Sequence, residues 1–259
     1  INKGTTGAVV LRQPFGGMGK SVIGEGIKVG GPNYVAQFMD FTERGTPETG
    51  TAENRAEARA LEPGWEERVK GKTAGNSSLE LDPTTEAVRS RLYHAATEFQ
   101  RERDYFNLRG QDNIFRYLPA GMVAVRVHEA DSLFEVLVRA AAARIARCRI
   151  VVSLPHLPDG PVTDYLFDSK SRVLIGKARV LRQEESDFTG MIPEFDLIRY
   201  AAPERVERDV FTAAVEHGIH IARDRVMTEG RIELLHYLKE QSLCVNYHRY
   251  GNLGERERE

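Results

Sequence analysis

The residues best able to do chemistry lie near the start of the chain. Between Gly4 and Ser21 five glycines flank a short apolar run, Val9-Val10-Leu11. Glycine has no Cβ, so backbone there can take positive φ and approach a ligand closely. A loop, a short strand and a glycine-rich turn together can present backbone N–H groups at a site. Gly16-Gly17-Met18-Gly19-Lys20-Ser21 fails as a phosphate-binding P-loop, because Pro14 stands where that motif needs its first glycine. Gly24, Gly26 and Gly30 miss the dinucleotide fingerprint, whose last two glycines lie three apart.

Thiol and imidazole chemistry is sparse. Cys148 sits between Arg147 and Arg149 at an expected helix–strand junction, where arginines could lower a thiol pKa. Its apolar surroundings, and those of Cys244, favour packed thiols that do not react. Two cysteines make no disulfide framework. His217 and His220 flank a turn, and His236 and His248 lie farther on, without zinc spacing. We therefore expect no catalytic residue and no metal site in this chain.

The bulk numbers set the class. The chain has 259 residues, enough for one large or two small domains. Its formal charge of −2 offers no general attraction to nucleic acid or an anionic membrane. Hydrophobic content of 41% is ordinary for a globular chain, and no apolar run reaches membrane-span length. Unpaired cysteines fit a reducing cytoplasm. The chain opens at Ile1, without Met and inside what reads as a loop, which suggests a piece of a longer protein.

These residues need elements to hold them. Val9-Val10-Leu11 and Tyr34 to Phe41 read as short strands. From Thr42 to Leu81 the composition turns polar, predicting a linker or surface-wrapping segment with room for a short helix over Ala52 to Leu61. Asp82-Pro83 is a helix-start signal for a helix to about Phe106, with Val88, Leu92, Ala95, Ala96 and Phe99 on its apolar stripe. Strands are expected at Ile114 to Leu118, Met122 to His128, Arg149 to Leu154, Leu197 to Ala201, Ile219 to Ala222 and Leu243 to Tyr247. Helices are expected at Ser132 to Arg147, Ser171 to Glu185, Pro203 to His217 and Glu229 to Gln241. This alternation predicts an α/β fold, a Rossmann-like and mostly parallel sheet with flanking helices over residues 82–259. The segment Tyr247 to Leu253 either docks on a neighbouring domain or completes the sheet.

Two parts of the sequence resemble a known family. Thr6-Gly7-Ala8-Val9-Val10, Gln13-Pro14-Phe15-Gly16-Gly17 and Gly30-Gly31-Pro32-Asn33-Tyr34 resemble the end of the catalytic domain of aldehyde dehydrogenases. They are most similar to the glutamate γ-semialdehyde (pyrroline-5-carboxylate) dehydrogenase part of bifunctional proline-catabolic flavoenzymes. Arg109-Gly110-Gln111-Asp112-Asn113, Gly230-Arg231-Ile232-Glu233-Leu234-Leu235 and Tyr250-Gly251-Asn252-Leu253 resemble the extra C-terminal domain of long members. The resemblance implies that residues 1–41 end a catalytic domain and carry a β-flap strand, that 42–81 are a linker, and that 82–259 form a degenerate aldehyde-dehydrogenase-like domain. It implies that the amides of Gly7 and Ala8 bind the substrate α-carboxylate and that Phe15 packs on its methylene chain. The nucleophile, the base and the NAD site would lie upstream, with FAD in an upstream proline dehydrogenase domain and no cofactor in this chain. The implied partners are the upstream catalytic domain and further copies of the same chain. A stand-alone Rossmann-like interaction or ligand-binding module is the alternative function.

Overall fold

A computed structural model describes residues 7–22, 24, 26–51, 81–168 and 174–247. The expected helix over Ala52 to Leu61 and the segment after Tyr247 fall outside them. The chain divides into two compact units. One combines residues 1–41, 99–118 and 239–259; the other combines 42–98 and 119–238.

The second unit is the α/β body. Helix α1, Leu81–His94, continues into a π-helical turn, Ala95–Phe99. It ends there and not at Phe106, because the chain turns into a short strand β1, Arg103–Asp104, of the first unit. Val88, Leu92, Ala95 and Phe99 are buried, as the apolar spacing predicts. Strand β2, Gln111–Pro119, leads into β3, Met122–Arg126, helix α2, Leu133–Ile145, and β4, Arg149–Leu154. Ser132 caps α2: its side chain accepts from the Glu135 amide, and Glu135 reaches back to the Ser132 amide at 2.8 Å.

Then follow α3, Pro161–Phe167, β5, Arg179–Arg182, α4, Glu185–Met191, and β6, Leu197–Arg199. Helix α5, Arg208–His217, β7, His220–Ala222, and α6, Gly230–Leu235, complete the body. The order β5-β4-β3-β6-β7 is parallel throughout. The helix expected over Ser171 to Glu185 is corrected over its described residues, 174–185: Arg179–Arg182 form β5, and the helix begins only at Glu185. Val180 and Leu181 pair with Val152 and Ser153, so ladder bonding prevails over helix propensity there. A core of Ala124, Val151, Phe188, Ile192, Phe195, Ile198, Tyr200, Val210 and Ala214 fills one face of this sheet.

Residues 42–51 carry no helix or strand, but they are tied to this body. The Glu43 carboxylate accepts from the Thr228 hydroxyl and the Glu229 amide, each at 2.9 Å. The Glu48 amide donates to the Glu229 carboxylate at 3.0 Å.

In the first unit, a three-stranded sheet runs β1-β2-β8, with β8 at Leu238–Asn246. That strand starts within the helix expected over Glu229 to Gln241, which is therefore cut to the six residues of α6. The strand expected over Tyr34 to Phe41 is a 3-10 helix, Tyr34–Phe38. The Gly31 and Asn33 carbonyls accept from the Tyr34 and Ala36 amides, which closes turns instead of a ladder. Val9-Val10-Leu11 is likewise a tight turn closed by a Val9–Gln13 bridge, with Leu11 at φ 57°.

Candidate functional site

The glycine-rich loop of the first unit is built by backbone pairing. The Val9 and Gln13 amides donate to each other's carbonyls at 3.1 and 2.7 Å, and the Leu11 amide donates to the Gly30 carbonyl at 2.8 Å. Phe15 and Val29 exchange both backbone bonds at 2.9 and 2.8 Å. The loop is thus a folded-over pair of short segments, and Phe15 is held at its edge with 51% of its surface exposed. Gly7 sits at φ 109°, which side-chain-bearing residues rarely adopt. Gly7 and Ala8 are both exposed.

Beneath the loop lies a polar cluster that composition did not announce. The Lys28 ammonium donates to the carbonyl of Gly16 at 2.7 Å and to that of Gly17, tying down the double-glycine turn. Glu240 on β8 accepts from the Lys28 amide at 2.6 Å and from the Asn33 side chain at 2.8 Å. The Asn33 amide also donates to the Tyr117 hydroxyl at 2.8 Å. Burial lowers the Lys28 pKa, and the Glu240 carboxylate opposes that shift. A Cβ on Gly31 would stand 2.7 Å from the Glu240 carboxylate, so the second glycine of Gly30-Gly31-Pro32-Asn33 is required by this contact.

The second unit offers a different place, the carboxyl edge of its parallel sheet. Strand order reverses between β3 and β6, the position where open α/β sheets bind ligands. Here it is filled by side chains of the chain itself. Arg139 of α2 donates to the Arg126 carbonyl at 2.9 Å and the Arg199 carbonyl at 3.1 Å, joining the ends of both strands. It also pairs with Asp131, whose side chain is fully buried. Arg205 donates to Asp131 at 2.7 Å and to Glu135 at 2.9 Å. Two carboxylates therefore stand at the N-terminal end of α2, where a dinucleotide fold would seat its pyrophosphate. The residues at this edge do not fit a dinucleotide phosphate.

Beside it the Arg126 guanidinium lies 4.7 Å over the Phe188 ring and donates to the Ser153 hydroxyl at 2.9 Å. The Tyr200 hydroxyl donates to Glu207 at 2.6 Å, and burial with that neighbouring carboxylate raises the Tyr200 pKa.

Sequence reasoning missed a buried ionic network. Arg199 meets Glu233 at 3.2 and 2.9 Å, and Tyr237 donates to Glu233 at 2.9 Å. Burial would raise the Glu233 pKa, but Arg199 above all, then His236 and Arg91, hold it down at about 2. The only signal in the sequence was the Gly230-Arg231-Ile232-Glu233 motif. Its parts now have separate reasons: Gly230 abuts the backbone of α1, Arg231 pairs with Glu98 at 2.9 Å, and Glu233 holds Arg199.

The two cysteines are Cys148 and Cys244. Both are half-buried and not disulfide-bonded. The Cys148 thiol donates to the Tyr237 carbonyl and the Cys244 thiol to the Arg12 carbonyl, each at 3.5 Å. Among the described residues no group of three His, Cys, Asp or Glu side chains could hold a metal ion. Nor is any helix among them long and apolar enough to cross a membrane.

The chain has an α/β fold with a five-stranded parallel sheet flanked by helices, and solved aldehyde dehydrogenases align with about two thirds of it. One is AldH from Staphylococcus aureus, at 15% identity and TM-score 0.40, over 65% of this chain and 39% of that one. Another is an NAD-dependent benzaldehyde dehydrogenase from Corynebacterium glutamicum, at 19% identity and TM-score 0.40, over 67% of this chain and 40% of that one. The more extensive similarity is to proline utilization A from Corynebacterium freiburgense, at 27% identity and TM-score 0.61 over 96% of this chain. The chain is thus similar to part of proline utilization A, and it spans 20% of that chain's length. No family model matches the chain, and no curated protein matches it.

Proposed function

We propose that this chain is the C-terminal part of an NAD-dependent L-glutamate γ-semialdehyde dehydrogenase of proline catabolism. It supplies the grip on the substrate, and a domain without catalytic groups closes and supports the enzyme. The observation that carries this reading is the state of the Gly7–Phe15 loop. Among the described residues neither the Gly7 nor the Ala8 amide donates to an acceptor, while the rest of the loop is pinned by backbone bonds. Two adjacent amides without a described acceptor, in the same loop as an exposed aromatic ring, suit a short carboxylate-bearing aliphatic substrate. The amides would hold the α-carboxylate, and Phe15 would pack on the methylenes.

Aldehyde oxidation also needs a nucleophile, a base and a hydride acceptor. NAD would supply the last, outside this chain, because the sheet edge described above is occupied by Asp131, Glu135, Arg139 and Arg205. The same closure argues against a stand-alone Rossmann-like ligand-binding module. The upstream catalytic domain, an FAD-bearing proline dehydrogenase domain and further copies of the chain are the partners this reading calls for, in a cytoplasmic oligomer.

Ala8→Pro in the intact parent tests it, since proline removes one anchoring N–H. The KM for the semialdehyde should rise roughly tenfold, in line with the loss of one hydrogen bond to a charged group, while the KM for NAD holds. An unchanged semialdehyde KM would overturn the anchor role.

A further inference from the structure

We propose that Glu240 is a positioning residue for substrate binding, acting through Lys28 and Asn33 to set the glycine-rich loop. The proposal rests on the reading of Gly7, Ala8 and Phe15 as the carboxylate anchor. Glu240 lies on β8, some two hundred residues along the chain from the loop, yet it touches the loop's base at two points. Glu240 is 1% exposed, so water does not compete for its carboxylate.

One oxygen takes the Lys28 amide. The next residue, Val29, makes both backbone bonds to Phe15. From the same residue the Lys28 side chain reaches the Gly16 and Gly17 carbonyls on the far side of Phe15. Phe15 is thus bracketed by two consequences of where Lys28 sits. The other carboxylate oxygen takes Asn33, fixing the turn that carries Gly30, whose carbonyl holds Leu11. A single buried carboxylate therefore sets both ends of the segment that pairs with the loop. Both bonds run to donors and both need an acceptor, which a carboxylate offers on each oxygen and an amide on only one.

The test uses the intact parent with Glu240→Gln and with the swapped pair Asn33→Asp/Glu240→Gln. In the single variant one amide face meets a donor, so one of the two bonds fails. In the swapped pair the oxygen of the new amide accepts from Lys28 while its nitrogen donates to the carboxylate introduced at position 33, and both bonds return. Two readouts are taken: amide hydrogen exchange at Phe15 and Val29, and KM against kcat for the semialdehyde. We expect Glu240→Gln to speed exchange at both amides and to raise the semialdehyde KM roughly tenfold, with kcat changed less and the KM for NAD unchanged. The swapped pair should recover both readouts.

Unchanged exchange in Glu240→Gln would overturn the proposal, because the carboxylate would not be holding the loop. Faster exchange with an unchanged semialdehyde KM would overturn it too, by showing that this loop does not bind the substrate. Recovery of neither readout in the swapped pair would overturn the two-bond mechanism.

Discussion

Arg199 and Glu233 face each other through two hydrogen bonds, at 3.2 and 2.9 Å, with both side chains fully buried. Arg199 ends β6 and Glu233 lies in α6, so the pair couples the parallel sheet to the last helix of its unit. A buried pair is weak evidence of net stabilisation, but removal of one partner strands a charge. Glu233→Ala should therefore destabilise the second unit by about 3–5 kcal/mol. Denaturant unfolding followed by circular dichroism checks this. A loss below about 1 kcal/mol, the ordinary worth of an exposed pair, would show that the pair is not buried as described.

The same carboxylate predicts a pH dependence. Its pKa is about 2 in the folded protein against an ordinary 4.5, so it is depressed by folding. Its contribution is fully present above the ordinary value and is lost as pH falls toward the folded one. The contribution is of the order of 3 kcal/mol at neutral pH. Glu229 is shifted the same way, to about 2, because the His94 side chain and the Glu48 and Arg231 amides outweigh its burial. Unfolding free energy measured from pH 6 down to pH 2 should fall, roughly as two depressed carboxylates require. Glu233→Gln should flatten that limb; an equally steep limb in the variant would contradict the assignment.

Gly230 opens α6 where it crosses α1. A Cβ there would stand 2.3 Å from the Arg91 amide nitrogen and 2.6 Å from its Cα, both backbone atoms that cannot swing aside. Gly230→Ala should cost about 1–3 kcal/mol through overpacking, although alanine is the better helix former. A thermal melt that rose in the variant would contradict the close approach of the two helices.

Much of the α/β body was legible in advance because its signals are local. Arg149 to Leu154 is a buried strand with the limits its apolar run predicts, and α2 follows its helical spacing closely. The parallel sheet followed from the alternation of elements. What failed was decided by distant partners. Val9-Val10-Leu11 and Tyr34 to Phe41 have strand-like composition, but Gly30, Asn33 and Glu240 bend them into turns. Arg179–Arg182 became a strand because β4 was there to pair with it. The loop's proposed site residues were suggested by motif resemblance alone. Glu240, Lys28 and the Arg139 closure carried no motif, since one buried charge in a mixed segment looks like any surface charge until the fold brings in its partner.

The central claim is that this chain grips and closes without holding the oxidant. Calorimetric titration of the purified chain with NAD tests that most directly. The account predicts binding weaker than roughly 1 mM, because Asp131, Glu135 and Arg139 fill the edge where the pyrophosphate would sit. A saturable heat with micromolar affinity would contradict it.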